Sequence, residues 1–248
     1  MELPPPAVPP GLYDEAYYRE VCGDAAAFAA GDLGGIYAWA ADTLALGAGR
    51  HLVDVGCGRG ELLAQAVARG ARATGVEYSE DAAALARATA PGAEVVLADA
   101  RALPLPDACA DACALLDVVE HLTAPELERC LAEVARVLRP GGRLLVHTMP
   151  QRRIYDWTYR ALRLVARSWP ADPRNEHEHA MHVGEQTRGS LRRALRAAGL
   201  RDVEVRYGEW VHDGFLPSWR ARAWWRRAAR VPPLRPLTVA NLIATARR

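Results

Sequence analysis

The chain has 248 residues, of which 50% are hydrophobic and 25% are charged, enough for one globular unit with a sizeable core. This composition excludes an intrinsically disordered chain, a collagen and a small disulfide-rich scaffold. The formal net charge is only +1, so the chain as a whole has no field that would attract nucleic acid or a membrane. All 31 basic residues are arginine, which we interpret, with the many alanines, as the mark of a GC-rich genome.

The cellular compartment is indicated by what the sequence lacks. No uncharged apolar run approaches the roughly 18 residues that a membrane span needs. The acidic, proline-rich start MELPPPAVPPG does not resemble a cleavable signal peptide. The five cysteines are odd in number and have no metal-binding spacing. These features predict a cytoplasmic protein.

The order of apolar and polar residues predicts the secondary structure. Residues 1–12 are expected to be an unstructured proline tail, and residues 13–46 show the apolar spacing of helices. Beyond them, short apolar strands alternate with amphipathic helices. Strands are expected at 51–55, 73–77, 94–99, 111–117 and 143–148, and helices at 61–69, 80–89 and 125–138. This alternation predicts an α/β fold, a parallel sheet with helices on both faces and ligands bound beyond the carboxyl ends of its strands.

The last hundred residues depart from this alternation. Prolines, aromatic residues and three histidines interrupt it after residue 149, which predicts a lid over the site. A helix at 189–199 and a strand at 202–207 follow. The apolar stretch 237–246 is expected to pair antiparallel with that strand as a terminal hairpin.

A glycine-rich turn follows the first strand. Gly56, Gly58 and Gly60 allow a sharp backbone turn and bring bare peptide N–H groups against a ligand. Glu77 ends the second strand about 20 residues later, where a carboxylate can accept hydrogen bonds from a ribose. Close helix–strand packing and a solvated acid at a strand end are the alternative explanations.

Two aspartates extend the same edge. Asp99, followed by Ala100, stands at the end of the third strand and can accept a hydrogen bond from an adenine amino group. Asp54 lies inside the first strand, where a buried carboxylate needs a cationic ligand or nearby amides as a partner. Together with the glycine turn, these residues predict a nucleotide-type site.

Five segments in order resemble the successive motifs of Rossmann-like (class I) S-adenosylmethionine-dependent methyltransferases. They span about residues 45–150 and read LVDVGCGRGELL, VEYSEDAAALAR, LADARALPLPDACAD, LLDVVEHL and VARVLRPGGRLLVHTMP. The resemblance implies a doubly wound, mostly parallel seven-stranded sheet with an antiparallel last strand, plus a helical lid. It also implies S-adenosylmethionine as the methyl donor. A nicotinamide-dependent dehydrogenase and a non-catalytic binding protein are the competing classes; the GxGxG spacing disfavours the dehydrogenase.

The resemblance also implies roles for individual residues and regions. The implied cofactor-binding residues are Asp54, Gly56, Cys57 and Gly58 at the methionine end, Glu77 at the ribose, Tyr78, Asp99 and Ala100 at the adenine, and Asp117 at the methyl-transfer site. The whole chain, 1–248, is expected to be a single methyltransferase domain. Its parts are N-terminal helices at 13–46, a cofactor-binding core at 47–149, a lid and acceptor insertion at 150–190, and a helix with a strand hairpin at 191–248.

Two histidines are candidates for chemistry. His121 follows the fourth strand beside the expected methyl group and suits a general base, with Glu120 next to it. His182, with His177 and His179 nearby, lies in the predicted lid. We expect His121 and His182 to converge on one acceptor pocket. The alternative is that Glu120 and His121 only orient their loop.

These histidines belong to motifs that resemble the divalent-metal sites of two methyltransferase families. Asp117-Val-Val-Glu120-His121 resembles the ExxEH motif of ubiquinone-type O-methyltransferases. The stretch from His182 to Arg188 resembles the HxxExTR stretch of small-RNA 3′-terminal 2′-O-methyltransferases, whose acids and histidines hold a divalent metal. The first ligand here is aspartate, which is one methylene shorter than glutamate. A metal-free proton relay is therefore the favoured hypothesis, with a divalent metal as the alternative.

The acceptor is the least constrained part of the prediction. Stretches 152–169 and 219–235 are rich in arginine and tryptophan, which suits a phosphate-bearing substrate, RNA or an anionic bilayer, or merely tryptophans packed on the core. The favoured function is methyl transfer to a hydroxyl or amine of a small-molecule biosynthetic intermediate. The alternative is a metal-dependent RNA 3′-terminal 2′-O-methyltransferase, disfavoured by the near-neutral charge. No DNA partner is expected, and peripheral membrane contact and oligomeric state are left open.

Overall fold

The computed structural model of the chain describes residues 3–18, 22, 28, 30–33, 35–165, 174, 176–209, 211 and 219–248. The strands are β1 (His51–Val55), β2 (Arg72–Glu77), β3 (Glu94–Leu97), β4 (Ala110–Leu116), β5 (Leu138–Thr148), β6 (Arg201–Tyr207) and β7 (Leu242–Arg247). The helices are α1 (Gly35–Thr43), α2 (Glu61–Ala68), α3 (Glu80–Thr89), α4 (Ala124–Val137), α5 (Arg160–Val165), α6 (Glu176–Met181), α7 (Arg188–Ala197), α8 (Trp219–Ala228) and α9 (Arg235–Thr238). Shorter helical turns span Pro10–Leu12, Val119–His121, Ile154–Tyr159 and Pro232–Leu234.

The strands form one seven-stranded sheet in the order β3-β2-β1-β4-β5-β7-β6. Strands β1 to β5 are parallel to one another, whereas β7 runs antiparallel to both β5 and β6. The predicted mostly parallel sheet with an antiparallel last strand is confirmed. The order of the strands along the sheet reverses between β1 and β4, so their carboxyl ends border the crevice where such sheets bind ligands.

Helices cover both faces of the sheet, and β1 shows why. All five of its residues are buried. Leu52 packs on one face with Leu62 of α2, whereas Val53 packs on the other face with Leu127 of α4. Because successive strand residues point to opposite faces, a strand covered on both sides is mostly apolar, and His51 and Asp54 are the polar exceptions in β1.

Helix α4 begins at a capping box. The Glu126 carboxylate accepts hydrogen bonds from the Thr123 backbone N–H at 2.9 Å and from the Thr123 hydroxyl at 2.7 Å. This arrangement satisfies donors that a helix start would otherwise leave unpaired. Its amphipathic pattern buries Leu127, Leu131 and Val134 against the sheet. The predicted helix is therefore confirmed, with its start one residue earlier.

Some predicted element boundaries were wrong for identifiable reasons. Strand β5 begins at Leu138 rather than 143, because Leu138 already pairs with Ala110 of β4 and the stretch up to Arg143, with Gly141 at a φ of 79°, forms an irregularity within the strand. Strand β7 begins at Leu242 rather than 237, because Arg235–Thr238 takes a helical turn. Of the helices predicted over 13–46, the structure shows α1, and much of 19–29 lies outside the described residues. None of the described helices is long and apolar enough to cross a membrane.

Candidate active site

The turn after β1 requires glycine. Gly56, Gly58 and Gly60 have positive φ angles of 72°, 52° and 86°, which residues other than glycine rarely adopt. A Cβ on Gly56 would lie 2.6 Å from Cγ2 of Val118, in the segment that follows β4. The turn is thus pressed against the end of the neighbouring strand and leaves its peptide groups at the carboxyl edge of the sheet.

Glu77 ends β2 and fixes this turn from the side. Its carboxylate accepts hydrogen bonds from the backbone N–H groups of Gly58 at 2.9 Å, Tyr78 at 2.9 Å and Ser79 at 3.1 Å. Burial raises the pKa of Glu77, while these amide bonds favour its charged form and act in the opposite direction. The predicted ribose acid therefore lies beside the glycine turn and also holds its shape.

Asp54, on β1, is fully buried near Glu77 and Glu61. Burial, with additional repulsion from Glu61 and Glu77, raises its pKa to about 8. Glu61 is paired with Arg59 at 2.7 Å, so that guanidinium is committed to another carboxylate. A carboxyl group whose pKa is raised in this way favours the binding of a cation, whose charge would stabilise the carboxylate form.

The predicted adenine residues lie at the ends of β2 and β3. The Tyr78 hydroxyl donates a hydrogen bond to the Val8 carbonyl at 3.2 Å. Asp99 forms a bidentate pair with Arg101, with Nε–Oδ1 at 2.9 Å and Nη2–Oδ2 at 2.7 Å. Burial raises the pKa of Asp99, but the hydrogen bonds from Arg101 outweigh it, and the net shift is downward. Ala100 packs against the core beside them.

The expected unstructured tail at residues 1–12 was wrong for the part that the structure describes. The Pro4 carbonyl accepts a hydrogen bond from Arg101 at 3.0 Å, and the Ala7 N–H donates to Glu126 at 2.9 Å. Val8 is buried in a cluster with Tyr13 and with Met181, which lies in the predicted lid. This N-terminal segment, which we define as residues 4–18, is ordered by partners far away in the sequence.

The N-terminal segment lies across the candidate cofactor residues. The Tyr13 ring contacts the rings of Tyr78 and His121, with centroids 5.4 and 5.7 Å apart. Tyr18 lies over the glycine turn, where a Cβ on Gly58 would be 3.7 Å from its Cε1. The segment therefore covers both Tyr78, a predicted adenine residue, and His121.

Asp117 belongs to a buried hydrogen-bonded chain that the sequence reasoning missed. Its Oδ1 lies 2.8 Å from Nδ1 of His147 on β5, and His147 Nε2 lies 2.9 Å from Nδ2 of Asn241. Asn241 Nδ2 can only donate, so Nε2 accepts and Nδ1 carries the proton that bonds Asp117. Asp117 has a positive φ of 54°, an unusual conformation for aspartate, and half of its side chain is exposed at the site.

Glu120 lies in the next turn, fully buried. Its carboxyl group accepts hydrogen bonds from the Thr148 hydroxyl at 2.8 Å and from the Met149 N–H at 3.2 Å. Burial and the nearby Asp117 raise its pKa. In the structure this carboxyl group ties the turn after β4 to the end of β5.

The two histidines come together as expected. The ring centroids of His121 and His182 lie 5.0 Å apart. Two backbone-level contacts hold them: His121 Nδ1 lies 3.0 Å from the Met181 carbonyl, and the Gly184 N–H donates to the Glu120 carbonyl at 2.8 Å. A Cβ on Gly184 would meet the Leu122 carbonyl oxygen at 1.8 Å, so the lid can pack here only with glycine. The sequence did not single out this glycine.

Both imidazoles are neutral near pH 7. Burial and the neighbouring His182 lower the pKa of His121 to about 4. Burial and Arg174 lower that of His182 to about 4 as well. Because a carbonyl can only accept, His121 carries its proton on Nδ1 and leaves Nε2 as a free base. Within the described chain, the buried Nδ1 of His182 has no hydrogen-bond partner.

The remaining lid residues of the predicted metal motif are engaged elsewhere or not described. Glu185 pairs with Arg174 at 2.9 Å, and Thr187 caps α7 by accepting from the Ser190 N–H. His179 is exposed, and the side chain of His177 lies outside the described residues. Among the residues that the structure describes, no group of three or more His, Cys, Asp or Glu side chains is arranged to hold a metal.

Comparison with known proteins identifies the family. The methyltransferase domain family matches residues 53–146. A methyltransferase of Mycobacterium ulcerans is 34% identical over 201 residues, covering 79% of this chain and 75% of that protein. The chain belongs to the class I S-adenosylmethionine-dependent methyltransferases. S-adenosylmethionine is the methyl donor of this family.

Other methyltransferases share parts of the chain. An S-adenosylmethionine-dependent methyltransferase of Mycolicibacterium smegmatis is 33% identical over 171 residues, covering 65% of this chain and 61% of its own length. The 27-O-demethylrifamycin SV methyltransferase of Amycolatopsis mediterranei is 40% identical over 111 residues, covering 42% of this chain and 40% of its own. The chain thus spans less than two thirds of these two relatives. In fold, it resembles a chain of the complex between the Haloferax volcanii Trm112 methyltransferase activator and a methyltransferase. That match has a TM-score of 0.64 and 20% identity, and covers 94% of this chain and 97% of the other.

Proposed function

We propose that the protein transfers a methyl group from S-adenosylmethionine to a hydroxyl or amine of a small-molecule biosynthetic intermediate. The observation that carries this proposal is the pair of neutral imidazoles, His121 and His182, 5.0 Å apart at the edge of the sheet. They lie beyond the carboxyl end of β4, next to the glycine turn and its acids. A base beside a methyl donor is what an acceptor with a removable proton requires.

The residues on β1 and β2 suit the methyl donor. S-adenosylmethionine, when bound, supplies an electrophilic methyl group on a sulfonium. Asp54 would hold the cationic part of the donor, and Glu77 would hold its ribose. Both lie beside the glycine turn, where a Cβ on Gly56 would clash with Val118. Tyr78 and Asp99 with Ala100 would contact the adenine. The raised pKa of Asp54 supports this assignment, because a bound cation relieves the repulsion among these acids.

His121 would act as the general base through Nε2. Its Nδ1 is committed to the Met181 carbonyl, so the ring orientation is fixed before an acceptor arrives. His182, whose ring lies 5.0 Å from that of His121, would help to position the acceptor proton or stabilise it after transfer. Asp117, held by His147, would line the methyl-transfer site, and Glu120 would position the turn that carries His121.

We further propose that residues 150–190 form the acceptor lid of a single domain. Contacts from Met181 and Gly184 to the turn at Val119–His121 support this role. Hydrogen exchange with and without S-adenosylhomocysteine and acceptor tests it, with slower exchange of 176–190 expected in the complex. Equal exchange in both states would exclude a moving lid.

Two observations favour a small acceptor and a metal-free relay. The rifamycin methyltransferase named above is a relative whose name gives a small-molecule substrate. Asp117 and Glu120, the two acids of the metal motif, are already bonded to His147 and Thr148 respectively. A metal-dependent RNA 2′-O-methyltransferase would need both carboxylates free to ligate.

The acceptor can be found by isotope transfer. Purified protein is incubated with S-adenosylmethionine labelled at the methyl group, in parallel with a small-molecule extract and with RNA. Label is expected in a small molecule, at oxygen or nitrogen, and not in RNA. Label confined to RNA 3′ ends would replace the acceptor class, and absence of donor binding by calorimetry would remove the methyltransferase assignment altogether.

A further inference from the structure

Two surface segments, one within the proposed lid and one between β6 and β7, share an unusual composition. Residues 152–165 and 219–238, here called the basic–aromatic face, contain ten arginines and a single acid, Asp156. The whole chain has 31 arginines and 30 acids, so the remainder carries 21 arginines against 29 acids. A nearly neutral chain has therefore segregated its positive charge into these two segments.

The two segments are adjacent in space. The Thr158 hydroxyl donates a hydrogen bond to the Leu237 carbonyl at 2.8 Å, and the Gln151 side-chain amide donates to Pro236 at 2.6 Å. Gln151 also bonds the Val239 carbonyl at 3.0 Å. They form one surface although more than fifty residues lie between them.

Most of the large apolar side chains that are exposed in the described structure lie on this face. Among the described residues, ten large hydrophobic side chains are exposed, and seven of them lie in these two segments. The most exposed are Leu164 at 88%, Trp219 at 73%, Trp157 at 65% and Trp224 at 64%. Clustered exposure of this kind is unusual on a protein surface and marks a region that contacts a partner.

Helix α8 shows that these tryptophans are not part of the core. Trp225 and Ala228 are buried and attach the helix to the protein. Trp219 and Trp224 lie outside that buried stripe, and the Arg220 guanidinium stacks 5.4 Å from the Trp219 ring. The expectation that tryptophans pack on the core therefore holds for Trp225 and is wrong for the other two.

We propose that the basic–aromatic face docks the protein on an anionic lipid bilayer. Arginines attract the anionic headgroups, while tryptophan and leucine side chains insert at the boundary between headgroups and acyl chains. Exposed leucine and valine favour a bilayer over RNA, because a nucleic acid offers phosphates and stacking surfaces but little aliphatic contact. Segment 152–165 of the face belongs to the proposed lid, where the Arg152 N–H bonds the Gln186 carbonyl, so docking would place the acceptor side near the membrane.

Vesicle binding tests this inference on the full chain. The protein is sedimented with vesicles of phosphatidylcholine alone and with vesicles that contain about 30% phosphatidylglycerol. Binding is expected only to the anionic vesicles, with weakening at high salt and a blue shift of tryptophan fluorescence. A labelled single-stranded RNA is titrated in parallel. No binding to either vesicle, or binding to RNA with none to vesicles, would overturn the proposal.

Paired variants separate the face from a general charge effect. Arg220→Glu with Arg227→Glu should weaken vesicle binding by roughly tenfold or more, given the attraction of each arginine near an anionic surface. Trp219→Ala with Trp224→Ala should reduce the blue shift to the part contributed by Trp157, while leaving every arginine in place. The control is Arg129→Glu with Arg193→Glu, the same change in charge at exposed positions elsewhere. Equal loss in the control pair would contradict a localised face, and thermal melting curves check that each variant is folded.

Discussion

The imidazoles of His121 and His182 lie 5.0 Å apart, one in the turn after β4 and the other at the end of the lid. The contacts from Met181 and Gly184 that hold them are made by backbone groups. The pair is thus fixed by the path of the chain and leaves His121 Nε2 available for an acceptor.

Replacing either histidine should reduce turnover without preventing donor binding. We expect His121→Ala and His182→Ala each to lose roughly 10²–10⁴-fold in kcat, because proton removal is impaired. EDTA should leave the rate unchanged. His179→Ala, an exposed histidine nearby, serves as the control. Loss of activity with EDTA and recovery with Mg²⁺ or Mn²⁺ would instead support a metal site.

The pH dependence of kcat should reveal the low pKa of His121. With a pKa of about 4 in the protein, the base remains neutral well below the ordinary histidine value of 6.5. At saturating S-adenosylmethionine and with a hydroxyl acceptor, kcat should stay nearly constant from about pH 7 down to about pH 5. A decline centred near 6.5 would show that His121 is not the base or is not buried in this way.

Asp54 should couple donor binding to proton release. Its pKa of about 8 means that the carboxyl group is mostly protonated at pH 7, and a bound cation favours the carboxylate. Affinity should therefore increase with pH and level off above about 8, by at most about tenfold per pH unit. Calorimetry in buffers of different ionisation enthalpy measures the released proton. Asp54→Asn should remove this dependence, whereas Asp42→Asn, at a side chain that is 73% exposed, should not.

Glu77 should contribute to donor affinity beyond its role in the turn. Glu77→Ala is expected to weaken binding by about 1.5–3 kcal/mol through loss of charge-assisted hydrogen bonds. Glu77→Gln keeps a carbonyl acceptor for the Gly58 amide and separates loss of charge from collapse of the turn. Glu80→Ala, an exposed acid on α3, is the control. Unchanged affinity in the alanine variant would exclude the ribose role.

The N-terminal segment should slow cofactor release. Tyr78→Phe removes the hydrogen bond to the Val8 carbonyl and keeps the ring, so S-adenosylhomocysteine should dissociate about fivefold faster. Deleting residues 1–12 should have a larger effect. The Ala7 amide, bonded to Glu126, should also be protected from hydrogen exchange. Exchange of that amide at the rate of an unfolded peptide would contradict an ordered segment.

The sequence predicted those parts of the fold that local pattern determines. Strand β1 was predicted with its observed bounds because an apolar run ends at a glycine turn. The N-terminal segment was missed because proline-rich sequence has no periodicity, and its partners Arg101 and Glu126 lie 97 and 119 residues away. His147 was missed because the local pattern shows only another residue of β5, whereas its hydrogen-bonding partner Asn241 is 94 residues away.

The candidate site divides in a similar way. The residues at strand ends could be identified because parallel strands deliver them to one edge, as Asp54 and Glu77 show. Their contacts could not be anticipated. The pairing of Asp99 with Arg101, two residues further along the chain, depends on side-chain conformation, and the bond between Thr148 and Glu120 depends on packing between segments that are 28 residues apart.

The order β5-β7-β6 has a consequence for how the chain folds during synthesis. Strand β6 leaves the ribosome before β7, yet in the finished sheet it joins β5 only through β7. Until β7 emerges, β5 has an open edge at its position in the sheet and β6 has no strand to pair with. Asn241, just before β7, also completes the series of hydrogen bonds that runs through His147 to Asp117. A nascent protein therefore cannot orient Asp117 in this way before residue 241 has been added, so the site and the last strand of the sheet are completed together, late in synthesis.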